Sequence, residues 1–85
     1  PICNAIQNRE SIEFTYEGSK HEVEPYCHGT SLAGLPVLRA WANGAWKLFE
    51  ISKISNVKII AKLQGPFRPG YNQFDSKISS IHCRV

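Results

Sequence analysis

The chain has 85 residues, with ten Lys and Arg against seven Asp and Glu, for a net charge of +3. That length holds one hydrophobic core and leaves no room for a second, while 42% apolar residues, among them four Phe, three Tyr and two Trp, exclude a disordered chain. The positive balance is too mild for a nucleic-acid-binding tail, but it is compatible with an anionic partner.

Ile2, Ala5 and Ile6 recur at helical spacing and predict a short amphipathic helix from Ile2 to about Asn8, just before Arg9. Two turns are marginal alone, so its apolar stripe must pack on something else. Ile12, Phe14 and Tyr16 then alternate with polar residues, which predicts a half-buried strand. Glu17-Gly18 reads as a hairpin turn. Residues 20–25 form the return strand, with Val23 inward, Glu22 and Glu24 outward, and Pro25 ending the pairing because it has no N–H. Residues 26–35 contain Gly29, Ser31 and Gly34 and read as a loop of about ten residues, either functional or a plain connector.

Residues 37–42 predict a third strand, Asn43-Gly44 a type I′ turn, and residues 45–51 a fourth strand. Trp46-Lys47-Leu48-Phe49 sends apolar side chains to both faces, which requires a bulge or burial on both sides. After a connector at 52–55, a fifth strand is expected over 56–63, with Val57, Ile59, Ala61 and Leu63 inward and Lys58 and Lys62 outward. Residues 65–72, rich in Gly and Pro, break regular structure. Weak alternation through Ile81, Cys83 and Val85 is compatible with a final edge strand.

One short helix followed by five strands predicts a mainly β fold, a small five-stranded barrel. Residues 1–63 form the barrel with its helix, and residues 64–85 are a tail packing on the same domain. Closing the sheet would remove the exposed edges of such short strands. No apolar run is long enough to cross a bilayer and no signal peptide is visible. The chain begins at Pro1, which fits either a removed initiator or a piece of a longer protein. Cys3, Cys27 and Cys83 are odd in number and lack C-x-x-C spacing. This argues against a disulfide scaffold and suits three free thiols in a reducing cytoplasm.

In order along the chain, Ala5-Ile6, Ile12-Glu13-Phe14-Thr15-Tyr16, His21-Glu22-Val23-Glu24-Pro25, Val37-Leu38-Arg39-Ala40-Trp41 and Lys47-Leu48-Phe49-Glu50-Ile51-Ser52-Lys53-Ile54-Ser55-Asn56-Val57 resemble the WYL domain family. The resemblance runs over residues 2–60. The triplet that names the family falls on Pro36-Val37-Leu38, so only Leu38 survives. The family's Arg-x-Phe is Lys47-Leu48-Phe49 here, and its Asp-Arg-Ile is Ser52-Lys53-Ile54. Charge is kept at both basic positions, but the bidentate fork of Arg is lost. The resemblance implies an Sm-like or SH3-like barrel acting as a ligand-sensing module. Such modules are commonly attached to bacterial helix-turn-helix transcription regulators or to CRISPR- and helicase-associated proteins. Their ligands are thought to be negatively charged, nucleic acid or nucleotide-like. No helix-turn-helix is legible in these 85 residues.

The candidate ligand site is a basic and aromatic patch of Arg39, Lys47 and Lys53, with Tyr26, His28 and Trp41 nearby. Arg39 and Trp41 are two apart on one strand and so share a face, and Trp41 and Lys47 flank the Asn43-Gly44 turn. Cations would hold phosphate oxygens while aromatic rings stack a base or ribose. Lys47 and Lys53 also fall on motif positions of the resemblance. The plainer alternative makes Trp41 core and the cations a solvated face. The 26–35 loop is then either a lid over the patch, with Gly29 and Gly34 adding an anion nest, or a connector.

Cys27-His28 and His82-Cys83, with Cys3 or His21, lack zinc spacing, and adjacent residues on a strand point to opposite sides. No metal and no cofactor are therefore expected. No nucleophile with base and orienting group is legible, so no enzyme is expected. Phe67, Arg68 and Tyr71 either complete the core or meet another subunit. The function expected is a ligand-sensing, regulatory module that binds a negatively charged ligand, single-stranded nucleic acid or nucleotide. The alternative is a protein-interaction or self-assembly module, forming a homo-oligomer or gripping a partner protein edge to edge.

Overall fold

The computed structural model describes residues 2–85. The helix α1 (Ile2–Gln7) buries Ala5 and Ile6 and ends as Arg9 turns left-handed, with φ 54°, a common exit from a helix. Six strands come after it: β1 (Glu10–Tyr16), β2 (Ser19–Ser31), β3 (Pro36–Ala42), β4 (Ala45–Glu50), β5 (Ile54–Lys62) and β6 (Ile78–Arg84), with a 3-10 turn at Ile51–Lys53. The mainly β fold with a short N-terminal helix is the observed one, with six strands rather than five. All pairings are antiparallel. The order is β4-β3-β2-β1-β5, with β6 also on β2. No ladder joins β4 to β5 among the described residues, so the sheet is open.

Both tight hairpins arise from their turn residues. Glu17 and Gly18 have φ of 50° and 81°, and Asn43 and Gly44 have 52° and 78°. Two consecutive left-handed residues make the type I′ geometry that matches strand twist.

Pro25 does not end its strand. β1 partners β2 only as far as Val23, β6 begins at Cys27, and the β2–β3 register slips between Pro25 and Cys27. The missing N–H thus falls past the last β1 partner and next to the bulge in the β3 ladder, a place that tolerates Pro. Beyond it β2 runs on to Ser31, and β6 takes up the edge that β1 has left. The expected ten-residue loop therefore shrinks to the turn before Pro36, closed by Ser31 N–H to Leu35 O at 2.8 Å and Gly34 N–H to Ser31 O at 2.9 Å. The bulge also turns Tyr26 and Cys27 to one face: Tyr26 meets Trp46, while Cys27 packs with Val37 and Leu48.

Two apolar clusters lie on opposite faces of β3 and β4. The larger joins Ala5 and Ile6 of α1 to Ile12, Phe14, Val23, Leu38 and Phe49; the smaller holds Cys27, Val37 and Ile78 with Leu48 and Ile81. β4 feeds both, Phe49 one and Leu48 the other, in an unbroken register. This is the burial on both sides that its sequence requires. β5 differs from expectation. As the outermost strand it leaves Ile59 48% and Ile60 45% exposed, and Ala61 is exposed as well, because nothing is layered over it.

The cysteines also correct the sequence reading. Cys3 and Cys83 form a disulfide with Cα atoms 5.8 Å apart, across a sequence separation of 80, and Cys27 alone is free, and buried. Sequence spacing hides this pair because β6 returns beside β2, under α1. Disulfides are rare in reducing compartments, so the thiol count no longer argues for a cytoplasmic location. No described helix is long and apolar enough to cross a membrane.

Candidate ligand-binding cleft

The six residues singled out from the sequence do not converge on one surface. The β3–β4 ladder pairs Trp41 with Trp46, Arg39 with Leu48, and Ala40 with Lys47. Cross-strand partners share a face, so Arg39 and Trp41 lie on one side and Lys47 on the other. His28 pairs with Leu38 and shares the Lys47 side. Lys53 sits in the 3-10 turn, with Nζ 3.1 Å from Glu50 and 3.7 Å from Glu17. The hydrogen bond to Glu50, and then the charges of Glu50 and Glu17, push its pKa up. Arg39 is also engaged: Nε donates to Asp75 Oδ2 at 2.6 Å, with both side chains largely buried.

Tyr26 and Trp41 do come together, through Trp46. Its ring centroid lies 4.8 Å from that of Tyr26 and 5.2 Å from that of Trp41, both edge to face, a favourable aromatic geometry. The segment after β5 lies across this aromatic face. Trp46 Nε1 donates to Pro69 O at 2.8 Å, and Arg68 N–H donates to the buried Tyr26 hydroxyl at 2.9 Å. Phe67, edge to face, and Tyr71, tilted, then lie beside Tyr26 with ring centroids at 5.8 and 5.0 Å. The Gly and Pro residues of this stretch let it run flat without strand pairing, and Gly70 (φ +85°) passes so close to the indole that a Cβ would stand 3.1 Å from Trp46 Nε1.

Where this segment meets the start of β1, the middle of β2 and the end of β5 there is a cleft of about 540 Å³, lined by Arg9, Glu24, Lys62, Phe67 and Arg68 among others. A second, of about 460 Å³, shares Glu24, Leu63 and Arg68 with it and extends to Trp41 and the Asn43-Gly44 turn. Together they make one groove with three cations and two accessible aromatic rings. The Arg9 guanidinium is held between Tyr26 and Phe67, 4.9 and 4.8 Å from the ring centroids, and its Nη1 is buried without a hydrogen-bond partner. The Arg68 guanidinium lies 5.8 Å from Trp41. Lys62 Nζ donates to the Asn8 carbonyl, which ties β5 to the exit of α1.

Sequence reasoning missed Arg9 and Lys62 because they are 53 positions apart and flank opposite ends of paired strands: the β1–β5 ladder sets Glu10 against Lys62. Its usable signal was the Phe67-Arg68 dipeptide, an aromatic and a cation in a Pro/Gly stretch that had to fold onto something.

The other expected elements have structural roles. Gly29 lies inside β2, paired with both Val37 and Ile81, and the Gly34 N–H is used in its turn, so the two do not form an anion nest. Burial, reinforced by Asp75, pushes the Cys27 thiol pKa up, which makes it a poor nucleophile. Burial, then the charge of His82, lowers the pKa of His28 and favours its neutral ring. No protein-family model matches this chain, and no curated protein or solved structure matches it either.

Proposed function

We propose that this chain is a binding module, without catalysis of its own, for a negatively charged ligand that carries a planar ring: a nucleotide or a short single-stranded nucleic acid. One observation carries the reading, the convergence of Arg9, Lys62 and Arg68 beside Phe67 and Trp41 in one groove. Guanidinium and ammonium groups hold phosphate oxygens, and exposed rings stack bases without sequence preference. The order of motifs resembling the WYL domain supports a sensing or regulatory use of that binding. The ligand face is then the one carrying Trp41 and Phe67, with Arg9 and Arg68 as the anion contacts rather than Lys47 and Lys53.

Fluorescence polarisation with labelled oligonucleotides and nucleotides, at low and moderate salt, tests this. Binding is expected to weaken with salt and to be lost in an Arg9→Ala/Arg68→Ala double variant that still folds. An Arg39→Ala/Lys47→Ala/Lys53→Ala triple variant is expected to bind as the parent does. No binding at low salt, or loss only in the triple variant, overturns the reading.

A second reading has its own observation. β5 is a free edge with Ile59 and Ile60 about half exposed, and such edges pair with other strands. Light scattering over a tenfold concentration range tests self-assembly, and a strictly monomeric profile counts against it.

A further inference from the structure

On the opposite face from the groove, Cys3 of α1, His28 of β2 and Cys83 of β6 bring their ligand-capable atoms within 4.8 Å of one another. His28 and Cys83 are ladder partners, and α1 carries Cys3 up to them. Cys3 Sγ lies 3.5 Å from His28 Nδ1. A second imidazole, His82, has its ring centroid 5.2 Å from that of His28. Cys3 and His28 are only half-buried, so the group is reachable from solvent.

We propose that Cys3, His28 and Cys83 are a redox-gated metal site, which holds Zn2+ when the two cysteines are reduced and is closed to metal when they are joined. Two thiolates and an imidazole are the donors that Zn2+ favours, whereas Ca2+ and Mg2+ need oxygen ligands. Tetrahedral zinc with ordinary bond lengths spaces its ligand atoms roughly 3.5 to 3.8 Å apart, which the Cys3–His28 approach already satisfies. The two sulfurs have to separate and Cys83 has to settle toward His28, all within a group already no wider than 4.8 Å, and Cys3 sits on a helix of only six residues. Three protein ligands leave the fourth position to water. Cys27 takes no part: it lies in the other apolar cluster, with Val37 and Ile78.

The chemistry balances with a dithiol as reductant. The Cys3–Cys83 bond accepts two electrons and two protons to give two thiols, while the dithiol is oxidised to its own disulfide. Zn2+ then displaces one proton from each thiol to solvent and takes the lone pair of neutral His28.

The test uses the full chain, reduced with a phosphine, desalted without oxygen and titrated with Co2+ as the spectroscopic stand-in for Zn2+. One equivalent is expected to give thiolate-to-cobalt charge-transfer absorption with the intense visible bands of tetrahedral cobalt, removed by added Zn2+. The oxidised chain is expected to give neither. His28→Ala should weaken the affinity by at least the roughly 10- to 100-fold that loss of a mere outer-shell partner costs. If reduction unfolds the chain, Zn2+ is expected to restore its circular dichroism and cooperative melting, because binding at such a site supplies folding free energy. The proposal is overturned by a folded, reduced chain without these bands. It is equally overturned by His28→Ala binding as tightly as the parent, or by an unfolded, reduced chain that Zn2+ does not refold.

Discussion

Arg68 holds Glu24 by two parallel hydrogen bonds, Nε to Oε1 at 2.9 Å and Nη2 to Oε2 at 2.6 Å, in the wall that the two clefts share. This is the fork-to-carboxylate geometry that a phosphate also fits. On the proposed reading, Glu24 occupies the position an anionic ligand would take and would compete with it for Arg68.

Glu24→Gln removes that competitor's charge while keeping its shape. The Arg68 side chain is 48% exposed, so water already screens the pair and the gain should be modest. Affinity for a labelled oligonucleotide at low salt is expected to rise by up to about fivefold. Equal or weaker binding by Glu24→Gln in the same polarisation titration would remove Arg68 from the site.

Arg39 and Asp75 form the better-protected ion pair, with side chains 16% and 14% exposed. Burial opposes ionisation of Asp75, but hydrogen bonds from Arg39 and the Lys77 N–H, with the charges of both cations, outweigh it and hold the carboxyl below its ordinary 3.8. With the folded value depressed, the unfolded chain takes up this proton first as pH falls. The stabilisation is therefore complete above about pH 4 and is lost as pH drops through the folded value. Asp75→Asn should cost about 1.5–3 kcal/mol at neutral pH and flatten the acid limb of stability. Urea melts between pH 2 and 7 read both effects, and an acid limb identical to the parent's would refute the assignment.

These pairs also mark the limit of what the sequence discloses. The hairpins at Glu17-Gly18 and Asn43-Gly44 were legible because two residues fix each turn, and the alternation of Ile12, Phe14 and Tyr16 sets the inner face of β1. The path of β2 beyond Pro25 was not legible. A one-residue bulge reverses the facing of everything after it, so the Tyr26 and His28 placed together in the expected patch end on opposite sides of β2. The partners of Arg9, Arg39 and Cys3 are Phe67, Asp75 and Cys83, all from a tail that local patterning describes only as irregular. Long-range pairing through that tail, rather than any local motif, assembles the groove.

Gly29 and Gly34 look alike in the sequence and are not alike in the fold. A Cβ on Gly29 would collide with the Ser80 carbonyl oxygen and stand 2.6 Å from Ile78 Cγ2, so Gly29→Ala must push β6 off β2. A cost of about 1–3 kcal/mol is expected from such overpacking, with faster hydrogen exchange along β6. Gly34 has open space around it but φ of +83°, so Gly34→Ala meets backbone strain alone, about 1–2 kcal/mol, confined to the turn. Exchange in β6 that is as slow in Gly29→Ala as in Gly34→Ala would contradict the close β2–β6 contact.

The Cys3–Cys83 bond fastens the one helix to the last strand. α1 has six residues, far below the length at which a helix persists unaided, and it covers the core with Ala5 and Ile6. Losing its anchor should therefore expose the core, beyond freeing the unfolded chain. A loop closed over a separation of 80 residues restricts that chain by about 4.5 kcal/mol in the entropic account, a large part of the stability of so small a domain. Cys3→Ser/Cys83→Ser should thus lower the unfolding free energy by about 2–5 kcal/mol, read from the urea midpoint. Thiol titration in denaturant is expected to find one reactive group before reduction, Cys27, and three after it. Three groups without reductant would mean that the bond is absent and the helix is held by packing alone.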